Sequence, residues 1–542
     1  MPEITPETLA ASECLLGITY TPSERAQMLD NFLPQIEAAL LRRAVNIPTS
    51  TGPATRFDPR LPTYTSPKTT PFTFTPAVTP LPATDEDIAF APTHLQSGWI
   101  RSRQLTSLRL TKIYLDRISR LNPTLNAFAT ITAAAALAHA TELDALTAQN
   151  LSRGPLHGIP YGLKDIFDTK DITTGWGAEP YQHRRPSEDA HVTKILHEAG
   201  AVLLGKTTVG ALAYGDLWYG GRTKNPWNPH EGSSGSSAGS AAATAAGLVS
   251  FAIGTETLGS IISPSTRCGT VGLRPTYGRI SRRGAMPLCW SLDKIGPICR
   301  SAQDTALVLH ALNTPDPSDP FQIFTPFGDP TPLANLHLGY YPEDFADPET
   351  TDLERHALEA AKSLGLTITP LTRKNLPYDS LMALLFAEAA AAFEDLTLTN
   401  QDDLLTWQDS DAWPNAFRKA RFLSAVDHIQ ADRLRRLVMQ EMDEAFQQVD
   451  LIIGPTLAGP MLTITNFTGH PSLCLPAGLF PSPTRPPVSL SRHTAPPEQS
   501  PETFDVPHAI ALYAPLHAEA ALIAMGQALE SVLPAKRRPP LP

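Results

Sequence analysis

Thirty consecutive residues in the middle of the chain, 231–260, constrain the fold more than any other segment. They read EGSSGSSAGSAAATAAGLVSFAIGTETLGS. A Gly/Ser tract without apolar residues is typical of a flexible linker. From Ala238 onward, however, the small residues suit a close-packed helix, and SFAIGTE is typical of a short buried strand. We therefore predict a loop, a buried helix, a strand and a second turn. Ser236 and Ser260 would lie in glycine-flanked turns at opposite ends of this unit, where backbone amides can converge on a substrate.

Strand and helix patterns alternate through much of the remaining sequence. HGIPYGLKDIF predicts a turn and a strand, VTKILHEAG a helix, AVLLGKT a strand, and LTITPL and DLIIGPT two later strands. Residues 104–146 carry a helical pattern, which we expect to break at Asn122-Pro123 and to resume as a helix from Thr124. This alternation predicts an α/β fold with helices on the faces of a sheet.

The length and the proline distribution indicate how the chain is divided. At 542 residues it exceeds one ordinary domain, but its Ala- and Leu-rich middle favours a single large α/β unit. Residues 7–44 predict one or two amphipathic helices. The 53 prolines are concentrated in 46–85 and 480–507, which we expect to form extended coil on the surface or poorly ordered loops. We predict an N-terminal helical arm with a Pro/Thr-rich extended segment over 1–91 and one large domain over 92–542.

Charge and cysteine content exclude several classes of function. The net charge is −11, the pI is about 5.8, and the basic residues form no block beyond Lys536-Arg537-Arg538, so we expect no nucleic-acid partner. Five cysteines without C-x-x-C spacing favour a reducing compartment, and we expect a cytoplasmic protein. The sequence shows neither a leader pattern nor 18 consecutive apolar residues, so we expect no membrane partner. The histidines lack metal-binding spacing, and we expect neither a metal nor a cofactor.

One motif matches a nucleotide-binding loop by its letters alone. GAVLLGKT, at residues 200–207, fits the P-loop pattern. Its intervening residues are Ala, Val, Leu and Leu, whereas a phosphate-binding loop needs small residues that turn their amides inward. We interpret the segment as an apolar strand that ends at Gly205, with Lys206 at the end of the strand.

A second motif offers an alternative nucleophile. GSSAG, at residues 235–239, satisfies the G-x-S-x-G pattern of α/β-hydrolase esterases, which would make Ser237 the nucleophile with a downstream histidine such as His470. That turn requires a hydrophobic strand immediately before it, and NPWNPHEGSS is polar and rich in turn residues. The context fails, and this interpretation is kept only as an alternative.

If Ser260 is a nucleophile, it needs a base. The segment GIPYGLKDIFD places Lys164 in apolar surroundings. One interpretation is a strand-end lysine paired with Asp165 or Asp168. The other is a base, which must be neutral, and burial favours the neutral form against a reference pKa of about 10.4. Such a lysine can activate a serine.

Four motifs together resemble the amidase signature family. HGIPYGLKDIFD, GSSGSSAGSAAATAAG, GTETLGSI and CGTVGLRPTYGRISRRGAMPLCWSLDKIGPICRS occur in the family's order and at its spacing, with the strongest match over 153–301. The resemblance implies an α/β fold with a mixed, many-stranded central sheet covered by helices on both faces. It also implies an amidohydrolase that cleaves the C–N bond of a carboxamide or acyl-amide through a serine acyl-enzyme.

The family's Ser-cisSer-Lys triad falls on matching residues of this chain. The resemblance implies that Lys164 is the base, that Ser236, preceded by a cis peptide, is the bridging serine, and that Ser260 is the acyl nucleophile. The implied oxyanion hole and supporting positions are the amides of Thr257, Leu258, Gly259 and Ser260, with support from Ser237 and Thr255.

The sequence departs from the family pattern at two places. Many members have D-x-G-G-S before the nucleophile, and this chain has Glu256-Thr257-Leu258-Gly259-Ser260. We therefore expect either that Leu258 adopts a backbone conformation that glycine usually takes or that the loop is slightly altered. Many members also carry an arginine two or three residues after the nucleophile, where this chain has Ile262 and Ser263. A substrate carboxylate would lack that partner.

Three alternatives to the amidohydrolase remain. They are the glutaminase subunit of a tRNA-dependent amidotransferase, a catalytically idle scaffold, and the esterase that uses Ser237. We expect a small-molecule amide as the substrate and leave a homodimer open. An acyl pocket would draw on helices at 381–393 and 413–425 and on four aromatic residues, Trp218, Tyr219, Trp227 and Trp290.

Overall fold

Eleven strands of the described chain form one mixed sheet, and helices flank it. The structure, a computed structural model, describes residues 4–68, 70–76, 79–329, 333, 336–485, 502–534 and 538–541. The helices are α1 (Pro6–Leu16), α2 (Pro22–Arg43), α3 (Asp85–Phe90), α4 (Thr93–Arg101), α5 (Ser107–Leu125), α6 (Ala133–Ala148), α7 (His191–Glu198), α8 (Ala238–Ala245), α9 (Ile262–Cys268), α10 (Ala302–Leu312), α11 (Pro342–Ala346), α12 (Asp352–Ser363), α13 (Met382–Ala392), α14 (Glu394–Leu398), α15 (Trp413–Ala420), α16 (Ala425–Phe446), α17 (Met461–Phe467) and α18 (Glu519–Val532). The strands are β1 (Phe128–Ile131), β2 (Pro160–Lys164), β3 (Val202–Thr207), β4 (Leu217–Trp218), β5 (Gly221–Arg222), β6 (Lys224–Asn225), β7 (Asn228–Gly232), β8 (Phe251–Glu256), β9 (Val271–Arg274), β10 (Lys294–Cys299), β11 (His337–Tyr340), β12 (Thr367–Pro370), β13 (Leu451–Pro455), β14 (Ser472–Pro483) and β15 (Thr503–Tyr513).

The strand order brings the ends of two motif strands to one edge of the large sheet. The order is β1-β3-β2-β8-β10-β9-β14-β15-β13-β11-β12. Strand β2 lies between β3 and β8 and runs parallel to both, and β8 pairs antiparallel with β10. Because parallel neighbours end at the same edge of a sheet, Lys164 at the end of β2 comes close to Thr255 near the end of β8.

The segment 231–260 forms the predicted unit of loop, buried helix, strand and turn. Every residue of α8 and of β8 is buried. Small side chains allow this packing: a Cβ added to Gly239 would lie 2.2 Å from the carbonyl oxygen of Ala127. Only glycine lets the helix approach the neighbouring backbone so closely.

Two predictions from the sequence are wrong in detail. The helix expected to resume at Thr124 is interrupted by β1, because the β-branched and aromatic residues of FATI pair antiparallel with β3 before α6 begins. Helix α5 also continues through Pro123 and is capped by Asn126, which has a φ of 51°. The two ends of the proline-rich tract 480–507 are not coil, because Phe480 to Pro483 pair with residues 503–506 in the β14–β15 hairpin. Residues 486–501 of that tract lie outside the described residues.

The N-terminal segment crosses the surface of the large unit. After α1 and α2, the described residues between 44 and 84 contain little regular structure and contact distant parts of the chain. Arg42 forms an ion pair with Glu394 at 2.6 Å. The Tyr64 hydroxyl lies 2.9 Å from Nδ1 of His517. Ile88, in α3, already belongs to the main hydrophobic core, and the predicted boundary at residue 91 stays a prediction.

The described helices do not include a membrane span. None of them combines the length and the apolar composition that crossing a bilayer requires.

Candidate active site

Lys164 lies at the buried end of β2 among uncharged oxygen atoms. Its Nζ donates to Oγ of Ser236 at 2.8 Å and to Oγ1 of Thr255 at 2.8 Å, with the Thr255 carbonyl oxygen at 3.4 Å. The two carboxylates that the sequence offered as partners are engaged elsewhere: Asp165 with Lys206 at 3.2 Å and Asp168 with Arg184 at 2.7 Å. The interpretation of Lys164 as an ion-paired strand-end residue is therefore wrong.

Burial lowers the pKa of Lys164 to about 7. The negative charges of Asp293 and Glu256 oppose this shift, but they do not cancel it. Desolvation penalises the ammonium form more than these charges favour it. The amine is therefore substantially neutral at pH 8, which is the state that a base requires.

Ser236 sits between β7 and α8, after a cis Gly235–Ser236 peptide bond. Its side chain is buried. The next amide, Ser237 N, donates to the carbonyl oxygen of Ser260 at 3.1 Å. The turns at Ser236 and Ser260, which the sequence placed at opposite ends of one unit, are therefore in direct contact. Lys164 contacts the first of these turns through Ser236.

Ser237, the alternative nucleophile, ties the start of α8 to β8. Its Oγ donates to the carbonyl oxygen of Thr255 at 3.1 Å and accepts from the amide of Thr255 at 3.2 Å. The preceding strand β7 belongs to a separate two-stranded sheet with β6 and not to the large sheet. His470 is buried, its Nδ1 lies 2.7 Å from Oγ1 of Thr468, and burial lowers its pKa to about 3. These contacts disfavour a Ser237-His470 esterase.

Ser260 follows β8 through a loop whose amides are available. The left-handed backbone conformation falls on Gly259, with a φ of 88°, and Leu258 is not among the residues with positive φ. Of the two expectations for this loop, a glycine-like conformation at Leu258 is wrong, because Gly259 takes the left-handed conformation. The other expectation, a slightly altered loop, stays a prediction. Within the described part of the chain, the backbone amides of residues 257–260 donate to no protein acceptor.

The buried carboxylate of Glu256 holds the loop at residues 257–260 in place. Oε2 of Glu256 accepts from the amides of Ile261 and Ile262 at 2.8 and 2.9 Å. Oε1 accepts from Nη1 of Arg274 at 2.8 Å and from Nδ2 of Asn466 at 2.9 Å. Burial alone would raise the pKa of Glu256, but the charge of Arg274 and its one hydrogen bond to this carboxylate, together with the other donors, hold this pKa below its usual value. Sequence reasoning missed this network.

Replacing Arg274 with methionine should destabilise the protein by about 3–5 kcal/mol, because it leaves the fully buried Glu256 carboxylate without its counter-charge. Urea unfolding measures the loss. Arg120→Met is the matched control, since its ion pair with Asp116 has side chains 53% and 69% exposed and should cost less than about 1 kcal/mol. Equal, small losses in both variants would contradict a stabilising role for the Glu256–Arg274 pair.

A cavity of about 540 Å³ opens beside the loop at Thr255 and Thr257. Most of its wall is apolar. Of the four aromatic residues expected to line an acyl pocket, Trp290 does so, while Nε1 of Trp227 donates to the Cys268 carbonyl oxygen instead. Neither predicted helix segment contributes to this wall. Sequence reasoning also missed residues 50–54, which line the cavity from the N-terminal segment.

The described residues contain no group of three or more His, Cys, Asp and Glu side chains arranged to hold a metal ion. Lys206, the lysine of the P-loop-like motif, is also fully buried. Its Nζ donates to the Phe167 carbonyl oxygen and to Oγ1 of Thr174 at 2.8 and 2.7 Å. It lies within strand β3, so the segment is a strand and not a phosphate-binding loop, but the predicted end at Gly205 is wrong because β3 continues to Thr207.

Comparison with known proteins places the chain in a family. The amidase family model matches residues 109–495. A glutamyl-tRNA(Gln) amidotransferase subunit from Hahella chejuensis is 33% identical over 69% of this chain and 83% of its own length, and the corresponding subunit from Coxiella burnetii is 33% identical over 70% and 89%. The solved peptide amidase of Stenotrophomonas maltophilia superposes with a TM-score of 0.71 at 29% identity, covering 83% of this chain and 98% of that one. The chain belongs to the amidase signature family and is an amide-hydrolysing enzyme.

Proposed function

We propose that the protein is an amidohydrolase that cleaves a carboxamide or acyl-amide bond through an acyl-enzyme on Ser260, with Ser236 and Lys164 completing the triad. The observation that carries the proposal is the buried Lys164, whose hydrogen-bond partners, Ser236 and Thr255, are uncharged. A lysine kept neutral by burial and directed at a serine is arranged for proton transfer and not for structural ion pairing.

The chemistry follows from these positions. Neutral Lys164 has two N–H groups, and the carbonyl oxygen and Oγ1 of Thr255 can accept hydrogen bonds from them. Its lone pair can take the proton of Ser236. Ser236 in turn takes the proton of Ser260, whose Oγ attacks the amide carbonyl carbon. The proton returns along the same route to the departing nitrogen, the C–N bond breaks, and Ser260 carries the acyl group. Water then attacks this ester, transfers its proton to the relay and releases the acid.

The oxyanion hole is proposed at the unoccupied amides of Thr257, Leu258, Gly259 and Ser260. Two carboxylates hold the loop in place before substrate arrives: Glu256 at its Ser260 end, and Asp293, which accepts from Oγ1 of Thr257 at 2.6 Å. Preorganised donors of this kind contribute about 3 kcal/mol each to stabilising the transition state.

The strongest alternative within the family is the glutaminase subunit of a tRNA-dependent amidotransferase. It is favoured by the similarity to the glutamyl-tRNA(Gln) amidotransferase subunits of Hahella chejuensis and Coxiella burnetii, and it would imply further subunits as partners. It is disfavoured by the two residues at the positions where many family members carry an arginine. Ile262 is buried against Cys474 and Ala509, and Oγ of Ser263 lies 2.8 Å from Oγ of Ser234, so neither can form an ion pair with a substrate carboxylate. Glutamine-dependent ammonia release by the isolated chain tests this alternative.

Uncharged aliphatic or aryl amides should give a kcat/KM about tenfold or more above that of glutamine, asparagine or malonamate. At the positions where many relatives carry arginine this chain has Ile262 and Ser263, and burying an unpaired carboxylate is costly. Two arginines line the cavity beside Thr257, but Arg282 donates to the carbonyl oxygens of Trp290 and Asp293, and Arg283 donates to the carboxylate of Asp316. Lys294 lines the cavity, and burial lowers its pKa to about 7. Measurements at pH 9 therefore remove its charge from the comparison.

A preference for the acidic substrates at pH 9 would contradict this prediction and assign the role to another cation. Arg282 and Arg283 line the cavity and would then be the first residues to replace. Arg267 would follow, since Arg222 is held by Asp216 at 2.6 Å.

A further inference from the structure

A second cavity, of about 590 Å³, adjoins the first one. The two share Pro53, Trp290 and Phe321 as a common wall. The second cavity lies between residues 53–60 of the N-terminal segment and helix α16. We call it the vestibule. A molecule that filled both cavities would pass the rings of Trp290 and Phe321.

The vestibule is cationic in a chain that is acidic overall. Five arginines line it, against three carboxylates, while the chain as a whole has a net charge of −11. Two of the carboxylates are already used: Asp58 binds Arg60 at 2.7 Å, and Glu388 accepts from the amide and the hydroxyl of Ser291. Three of the arginines lie together on α16, and they are Arg433, Arg435 and Arg436.

Arg435 is the centre of this group and is incompletely satisfied. Its guanidinium is buried 4.5 Å from the ring centre of Phe57, and Nη2 donates to Oγ of Ser291 at 3.1 Å. Nε lies 3.1 Å from a carboxylate oxygen of Asp432. Within the described residues, Nε and Nη1 are buried without a hydrogen bond, as is Nδ1 of the neighbouring His428.

Buried N–H groups are almost always paired, and each exception requires an explanation. A guanidinium presents a planar fork that matches a carboxylate, and its stacking on Phe57 fixes the plane of that fork. A carboxylate entering the vestibule would provide the acceptors that Arg435 lacks.

We propose that the vestibule binds the distal carboxylate of an amide substrate whose apolar spacer runs past Trp290 and Phe321 to the loop at Thr257. The inference rests on the proposed amidohydrolase function. The substrate class is an amide with a terminal carboxylate separated from the scissile bond by an alkyl or aryl spacer. Short acidic amides do not belong to it, because their carboxylate would lie in the first cavity and not in the vestibule, and the two arginines that line the first cavity, Arg282 and Arg283, already donate to protein acceptors.

Monoamides of linear dicarboxylic acids, from four to ten carbons, test the proposal on the full-length protein. Each is compared with the uncharged alkanamide of the same length. The ratio of their kcat/KM values should lie below one at four carbons and rise above about tenfold at the longest chain, where the carboxylate reaches Arg435. A ratio that stays at or below one at every length would overturn the proposal.

Two variants locate the preference. Arg435→Met and the double variant Arg433→Gln/Arg436→Gln should each reduce the ratio for the longest pair by about fivefold or more. The double variant replaces exposed residues and decides the question alone if Arg435→Met does not fold. Arg109→Gln, whose ion pair with Asp85 is distant from the vestibule lining, is the control. A ratio unchanged in both variants would overturn the assignment.

The same experiments separate this inference from the proposed function. If Ser260→Ala loses alkanamide hydrolysis and a distal carboxylate does not change the rate of the native protein, the vestibule proposal fails and the triad proposal stands. Alkanamide hydrolysis that survives in Ser260→Ala would end the triad proposal itself.

Discussion

Ser260→Ala should abolish turnover and covalent labelling by a fluorophosphonate. The alanine has no oxygen that could form the acyl bond, and the loss of kcat should be on the order of 10⁶-fold, as when the nucleophile of another serine hydrolase is removed. Ser260 is buried, but the substitution removes a single oxygen atom and adds none, so the variant should fold. Intact-mass spectrometry after labelling, with a colorimetric amide assay, measures both effects.

Ser237→Ala is the matched control for Ser260→Ala. It removes a buried serine hydroxyl one residue from Ser236, and its Oγ bonds only to the Thr255 backbone among the described residues. The variant should keep its labelling and lose about 1–3 kcal/mol of stability, because the Thr255 amide is left buried without an acceptor. Labelling that survives in Ser260→Ala and vanishes in Ser237→Ala would reassign the nucleophile to the G-x-S-x-G turn.

Sequence reasoning could find the residues of the candidate triad because each lies in a long local motif. The small-residue run before and after Ala238 predicts a helix packed against a strand, and the turns at its ends follow from the glycines. The apolar segment around Lys164 predicts burial, and burial carries the argument for a neutral amine. These inferences need only neighbours in sequence.

The parts that sequence reasoning missed depend on contacts between distant segments. Glu256 in β8 meets Arg274 in β9 across the single intervening strand β10, and Asn466 reaches the same carboxylate from a helix 210 residues away. Nothing in the local sequence of any of these residues marks the partnership. The Glu256 carboxylate in place of the family's aspartate is the only signal, and it does not identify the cation.

The residues that line the two cavities could not be predicted for the same reason, because they come from distant segments of the chain. The Pro-rich tract was expected to cover a surface, but its residues 50–54 line the cavity beside Thr257. A Cβ on Gly52 would lie 2.4 Å from the Phe321 ring. The amino-acid composition of the tract does not predict such a close contact. Strand β1 was missed for a related reason: its partner, β3, is distant in sequence, and only that pairing selects strand over helix.

Activity should rise with pH through a midpoint near 7 and then level off. The folded chain lowers the pKa of Lys164 from 10.5 to about 7, and the amine acts as a base only when neutral. Lys164→Met should lose about 10⁴-fold in kcat, the upper end of what a general base contributes. A profile of kcat/KM against pH for both proteins provides the measurement.

Lys164→Met should nevertheless be no less stable than the native chain at pH 7. Between pH 7 and 10.5 the unfolded chain binds a proton at this lysine that the folded chain does not, so this group makes stability rise with pH across that window. Below pH 7 the loss of stability that burial of Lys164 causes reaches its full size. The methionine removes that effect, and thermal unfolding at about pH 7 and about pH 9.5 should show a smaller pH dependence in the variant.

Lys294 provides the control that makes the pH assignment decisive. It is buried, it lines the same cavity and its pKa is also lowered to about 7 by burial, but its Nζ donates to the Leu292 carbonyl oxygen and not to a serine. Lys294→Met should therefore keep the midpoint near pH 7. A midpoint that disappears in Lys294→Met and persists in Lys164→Met would transfer the role of base to Lys294. Loss of activity in His470→Ala, with near-native turnover in Lys164→Met, would instead favour a serine–histidine enzyme, which the buried, Thr468-bonded imidazole disfavours.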